Sequence, residues 1–160
     1  MKRISLIPFS IVMLIILAIS WVFAYGPCTR SGEMAVVDAY ARASSPSAKT
    51  GAAFFVLKNG TQKNDRLIAA KSDVAHHLML HTHKIDANGV AQMVHLMEGF
   101  AIEAGAEFAL KRGGAHVMLM GLQRPLVDGQ KIPLTLVFEN AGEIILEVTV
   151  DNNRKAKHAH

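Results

Sequence analysis

One cysteine, Cys28, is the whole thiol inventory of this 160-residue chain. An intrachain disulfide is therefore impossible, and no pair of thiolates is on hand to grip a metal or shuttle electrons. Catalysis is poorly served as well. Cys28 lies far from the histidines, no Ser-His-Asp or Cys-His ordering can be assembled, and Asp86, Glu98, Glu103 and Glu107 read as loop or strand-surface charges. No enzymatic activity is expected. Aromatic residues are scarce at 6%. The net charge of +4 comes largely from the two ends, where Lys2 and Arg3 precede the chain's first segment and Arg154, Lys155 and Lys157 close it. The middle is close to neutral and has no basic patch interleaved with aromatics, which removes the case for nucleic acid. No long helical period and no internal repeat is present.

One long hydrophobic run does exist, from Ile4 to Tyr25, directly after Lys2 and Arg3. A basic start followed by an apolar stretch of this length reads as an export signal or an N-terminal membrane anchor over residues 1–25. Cleavage after Ala24 or Gly26 and retention as an anchor are both open. In either case the working domain faces the outside of the cytoplasm. Cys28 sits just beyond the run, where lipid attachment is conceivable. Pro27 before it and the poor small-residue pattern argue instead that it is removed or lies in a membrane-proximal linker. Residues 34–150 form the expected folded domain, and 151–160 form a polar tail carrying His158 and His160, read as a frayed end.

The domain reads as all-β. Strand candidates run from Met34 to Ala41, Ala52 to Leu57, His77 to His83, Phe108 to Lys111, His116 to Met120, Leu134 to Phe138 and Ile144 to Val150. Between them Asn59-Gly60, Asn88-Gly89, Gly113-Gly114, Asp128-Gly129 and Ala141-Gly142 punctuate the chain at the spacing of a sandwich or small barrel.

Strand geometry gives the histidines and methionines a chemical meaning, because alternate side chains share a face. On that rule His77, Met79, His81 and His83 point one way while Leu78, Leu80 and Thr82 point the other. His116, Met118 and Met120 likewise share a face. A neighbouring loop carrying Met93 could complete a cluster of imidazoles and thioethers, and soft sulfur without thiolate favours copper, Cu(I) above all. Each member also has a plainer role. Isolated histidines are usually surface or hydrogen-bonded groups, and Met118 and Met120 could be core filler. Met79 and Met97 read as packing residues, His76 and His95 as exposed or supporting groups. A blue-copper electron-transfer centre lacks its cysteine ligand.

A longer pattern adds weight. Gly51-Ala52-Ala53, Asn64-Asp65-Arg66-Leu67, the His81 region, Gly113-Gly114-x-His116-x-Met118-Leu119-Met120-Gly121-Leu122, Pro125-Leu126, Gly129 and Pro133-Leu134-Thr135-Leu136-x-Phe138 together resemble the periplasmic copper chaperones of the PCu(A)C type. The likeness runs from about Val36 to Val150, and the string around His116 and Met118 is its most specific part. It implies a cupredoxin-like, Greek-key β-sandwich that binds Cu(I) through two histidines and two methionines. It also implies delivery toward the CuA centre of cytochrome c oxidase, alongside a Sco-type copper protein, in the periplasm as a soluble or inner-membrane-anchored form. Carried over residue by residue, the ligands fall on His81, Met93, His116 and Met118. Eleven residues separate His81 from Met93 and twenty-two separate Met93 from His116, one more in each interval than the family spacing. Met97 is accordingly a substitute for Met93, and His83 an alternative or auxiliary ligand. Cu(II) at auxiliary histidines, including His158 and His160, is a further expectation. The competing reading is a β-sandwich adaptor or assembly protein with incidental metal binding.

Overall fold

The computed structural model describes residues 32–155. The apolar segment 1–25, Cys28, His158 and His160 lie outside the described residues, and with them the readings that depend on them. The described chain forms ten strands: β1 (Met34–Ala43), β2 (Thr50–Asn59), β3 (Asp65–Lys71), β4 (Ala75–Ile85), β5 (Ala91–His95), β6 (Phe100–Ile102), β7 (Glu107–Leu110), β8 (His116–Leu122), β9 (Lys131–Phe138) and β10 (Glu143–Val150). The hydrogen-bonded order is β5-β4-β8-β2-β1-β10-β9-β3-β6, with β7 also paired to β2. All pairings are antiparallel except β1 with β10. The architecture is the expected all-β, cupredoxin-like sandwich.

Period-two patterning builds it. In β9 the residues Ile132, Leu134, Leu136 and Phe138 are buried while Lys131 and Pro133 are exposed, so every second side chain enters the core. Leu80 of β4, Val117 and Leu119 of β8, Phe55 and Leu57 of β2 and Val148 and Val150 of β10 join them in one apolar cluster. The opposite faces of β4 and β8 are thereby left pointing outward.

Two strands depart from simple alternation. The β1 register jumps between Val37 and Tyr40, and Asp38 takes a left-handed φ of 55° at this bulge; the extra residue re-aims the strand so that Tyr40 pairs with Phe54. In β2, Ala53, Phe54 and Phe55 are buried consecutively. Phe54 is covered from outside by Tyr40, whose ring stacks on it at 5.1 Å.

Strands β3, β5 and β6 were not among the sequence candidates. Asp65–Lys71 is charged at both ends with only a short Leu67-Ile68-Ala69-Ala70 run between, Ala91–His95 has no strong apolar alternation, and Phe100–Ile102 is three residues long. Their partners create them. The start of the tail also differs from the expected frayed end. Asn152 receives the amide of Ala43 at 2.9 Å and donates to the carbonyl of Leu126 at 3.0 Å, while the Arg154 guanidinium stacks over Tyr40 at 4.2 Å and pairs with Asp38.

Two buried polar side chains hold the loops. Asp65 accepts the amides of Arg66, Asn140 and Ala141 at 2.7–2.9 Å, tying β3 to the β9–β10 turn. Asn59 donates to the carbonyls of Lys63, Ile102 and Glu103 and accepts from Thr61. Removing the Asn59 amide leaves buried carbonyls without a donor. Asn59→Ala is expected to lower unfolding free energy by about 2–4 kcal/mol, measured from the urea midpoint. A loss under about 0.5 kcal/mol would mean that water replaces these bonds at no cost.

Candidate metal centre

The outward face of β4 and β8 is where the sequence concentrates nitrogen and sulfur donors. Inward Leu80, Val117 and Leu119, exposed by 3% or less, fix which side of each strand meets the core. Histidine and methionine then have only the other side to occupy. The antiparallel register sets His81 opposite His116, Met79 opposite Met118 and His77 opposite Met120. On the far edge of β4, His95 of β5 lies opposite His81, and Met93 lies opposite His83.

A row of rings therefore crosses the strands. The Phe54 and His116 centroids are 6.1 Å apart, His116 and His81 5.7 Å, and His81 and His95 5.7 Å. The His83 ring reaches 5.9 Å from that of His116. With Tyr40 stacked on Phe54, this row is anchored at one end in the apolar body of the protein and is open at the β5 edge.

His116 is buried, and its Nδ1 lies 2.9 Å from the carbonyl oxygen of Gly114. A carbonyl only accepts, so Nδ1 carries the proton and Nε2 is left with the free lone pair. The supporting turn runs from Lys111 to Ala115: Gly114 N–H donates to Lys111 at 3.0 Å, Lys111 N–H donates to Ala115 at 2.8 Å, and Gly113 takes φ 80°. Positive φ at Gly113 lets the chain turn tightly enough to bring the Gly114 carbonyl back onto the imidazole.

His81 is the anomaly. Its Nδ1 is buried and has no hydrogen-bond partner, the one such side-chain atom among the described residues. An orphaned polar atom costs roughly 1–3 kcal/mol. Here the His116 and His95 rings stand 5.7 Å from the His81 ring and Met79 and Met118 form the next opposed pair, a setting in which a soft metal ion would satisfy it. Burial lowers the His81 pKa first, and the nearby positive charge that His116 and His95 can carry lowers it further. The ring is thus biased toward the neutral, metal-binding form. Among the described residues no three of His, Cys, Asp and Glu stand close enough together to hold an ion, so thioethers would have to complete any coordination shell.

Of the four sequence-derived ligand positions, His81 and His116 face each other directly, Met118 is one row along β8, and Met93 is one row the other way on β5. Met93 belongs to a strand rather than a loop and is 51% exposed. Met97 lies in the turn after β5, where Gly99 N–H donates to Leu96, and is 85% exposed. His83 shares the His81 face. His95 and Met79 have closer roles than the sequence suggested: His95 stands opposite His81, and Met79 faces Met118 on the outward side instead of packing in the core. Alternation along β4 gave Met79 its face. Nothing local could have paired His95 with His81, because β5 itself was not legible.

Residues 34–150 match the family described as "Putative lipoprotein LpqE-like". A protein of Leifsonia xyli subsp. xyli, described as "Putative lipoprotein Lxx21020", is 39% identical over 99 residues, which is 62% of this chain and 59% of that relative's own length. The copper-bound PCuAC domain from PmoF2 superposes with a TM-score of 0.63 at 21% identity, over 76% of this chain and 95% of that one. The Cu(I) form of DR1885 from Deinococcus radiodurans gives a TM-score of 0.58 at 31% identity, over 74% of this chain and 79% of that one.

A lowered His81 pKa has a stability consequence. As pH falls through the ordinary imidazole value of 6.5, the unfolded chain takes up a proton that the folded chain resists. Stability present above that value is therefore lost on acidification, until the pH lies below the folded pKa as well. Metal-free protein is expected to show a falling Tm between about pH 7.5 and 5.5, with a smaller fall in His81→Gln. Equal slopes for the two proteins in a calorimetric pH series would remove His81 as the cause.

Proposed function

We propose that this chain, which belongs to the LpqE-like family of PCuAC domains, is an extracytoplasmic Cu(I)-binding chaperone. It takes up the ion through His81, Met93, His116 and Met118 and hands it on. The buried, unpartnered Nδ1 of His81, opposite His116 and flanked by methionines, is the observation that carries this reading. The likeness to the Cu(I) form of DR1885 supports the choice of metal.

The mechanism is binding and release. Thioethers are neutral, do not cross-link in an oxidising compartment and prefer Cu(I); imidazoles add stronger nitrogen donation. His116 is held by Gly114 and the Phe54 wall, so it stays as the fixed ligand. Met93, half-exposed on the β5 edge strand, is the ligand an acceptor can displace first. Ile85 and Val90 at the tip of the β4–β5 hairpin are 75% and 55% exposed, giving an apolar rim where an acceptor surface would be buried. The acceptor in this reading is the CuA subunit of cytochrome c oxidase or a Sco-type copper protein. Cu(II) capture falls to the remaining histidines, His83 and His95 beside the site and His158 and His160 at the end of the chain.

Copper K-edge absorption of the Cu(I)-loaded full chain is expected to show one ion with mixed nitrogen and thioether scattering. Met118→Ala should lose sulfur scattering, His116→Ala should weaken Cu(I) affinity about 100-fold or more, and Met93→Leu should weaken it less while speeding transfer to a competing chelator. Failure of the wild-type chain to retain Cu(I) would leave the adaptor reading in its place.

Attachment to the membrane is the second element of the proposal. The family and the Leifsonia relative are each described as a "Putative lipoprotein", which returns Cys28 to consideration despite Pro27, since a diacylglyceryl thioether needs a cysteine just beyond an apolar export segment. Mass spectrometry of the membrane-extracted protein is expected to find Cys28 as the lipid-modified first residue. Recovery of an uncleaved N-terminus would assign the anchoring to residues 1–25 instead.

A further inference from the structure

The outward face of β4 and β8 continues past the His81–His116 pair. Met79 and Met118 form the next directly opposed pair and His77 and Met120 the one after it. The core sides of these strands are already filled by Leu78, Leu80, Val117 and Leu119. Packing therefore does not account for what faces outward. Met79 and Met118 are half-buried, Met120 is 36% exposed and His77 is exposed. Three thioethers and an imidazole occupy positions where a water-facing strand ordinarily carries Thr, Lys or Glu. Directly opposed residues have Cβ atoms about 4.5–5.5 Å apart, and successive same-face residues are about 7 Å apart along a strand. Four flexible side chains at the corners of such a rectangle can close on one ion.

We propose that His77, Met79, Met118 and Met120 form a second Cu(I) station, one row along the strands from the first, with Met118 common to both. The proposal rests on the reading of His81 and His116 as the first station. A sulfur-rich, neutral donor set selects soft Cu(I) over hard divalent cations and over Cu(II). Passage between stations is ligand exchange alone, since the ion keeps its oxidation state and its single charge. On the way to the exit Met118 stays bound while His81, His116 and Met93 replace His77, Met79 and Met120. Two ions about 7 Å apart repel, and they compete for Met118, so the second binds on the order of 10- to 100-fold more weakly than the first. The pair of stations gives the chain a path along the β4–β8 surface, with entry at the His77 end and exit at the exposed Met93 edge.

The test is a Cu(I) titration of the full chain in detergent, carrying 13C-labelled methionine methyl groups, followed by NMR under reducing conditions. The Met93 and Met118 methyl signals are expected to shift with the first equivalent and those of Met79 and Met120 between the first and second. The double variant His77→Gln/Met120→Leu, conservative in shape, should abolish the second phase and leave the first unchanged. Met79 and Met120 signals that stay fixed in excess Cu(I) while Met93 and Met118 move would overturn the second station and leave the first standing. Movement of all four signals together in the first equivalent would replace two stations with one larger site. If no signal moves, the Cu(I) reading of the first station fails, and the second falls with it.

Discussion

The antiparallel register of β4 against β8 is the constraint on which the functional surface depends. A slip of β4 by one residue would send His81 and Met79 into the core and turn Leu80 out to water, and a slip of β8 would do the same to His116 and Met118 against Val117 and Leu119. The apolar residues, exposed by 3% or less, therefore hold the donors on the opposite face of each strand. This coupling of core and site explains why the donors fall in opposed pairs: each strand alternates, and each alternation is enforced by the same sandwich interior.

Around that register the protein separates a buried side from an exposed one. Tyr40, Phe54 and His116 are buried, Arg154 closes over Tyr40, and the Gly114 carbonyl orients the His116 ring. On the other side β5 is a five-residue edge strand with Met93 at its centre and mostly exposed side chains. The proposed carrier function needs this asymmetry. A site rigid on all sides would hold its ion against an acceptor, and one loose on all sides would not retain it. The unpartnered His81 nitrogen sits between the two, and in the proposed function its cost to the metal-free fold is what the bound ion would relieve.

Much of the plan was legible in residue order. Seven of the strands announced themselves through apolar alternation and glycine-bearing turns. The faces of β4 and β8 followed from counting by two. The remaining strands were not readable for physical reasons. Asp65–Lys71 and Ala91–His95 have weak local preference and become strands because β9 and β4 offer unpaired backbone groups. The same limit hid His95, which acquires its place opposite His81 only when β5 forms. It also left Met97 standing as a substitute for Met93, since spacing alone does not say which lies on a strand and which in the turn after it. The tail misled in the opposite direction: its polar composition suggested a free end, yet Asn152 and Arg154 are bound by groups more than a hundred positions away.

Sequence by itself determined the donor chemistry, the all-β class and the side of each strand on which donors stand, because these follow from residue type and a period of two. Only the tertiary structure decided which donors meet. β8 contributes His116 and Met118 to the site because a crossover inserts it between β4 and β2, and pairing across such a connection is set by the competition of all strands for one core, not by any local signal.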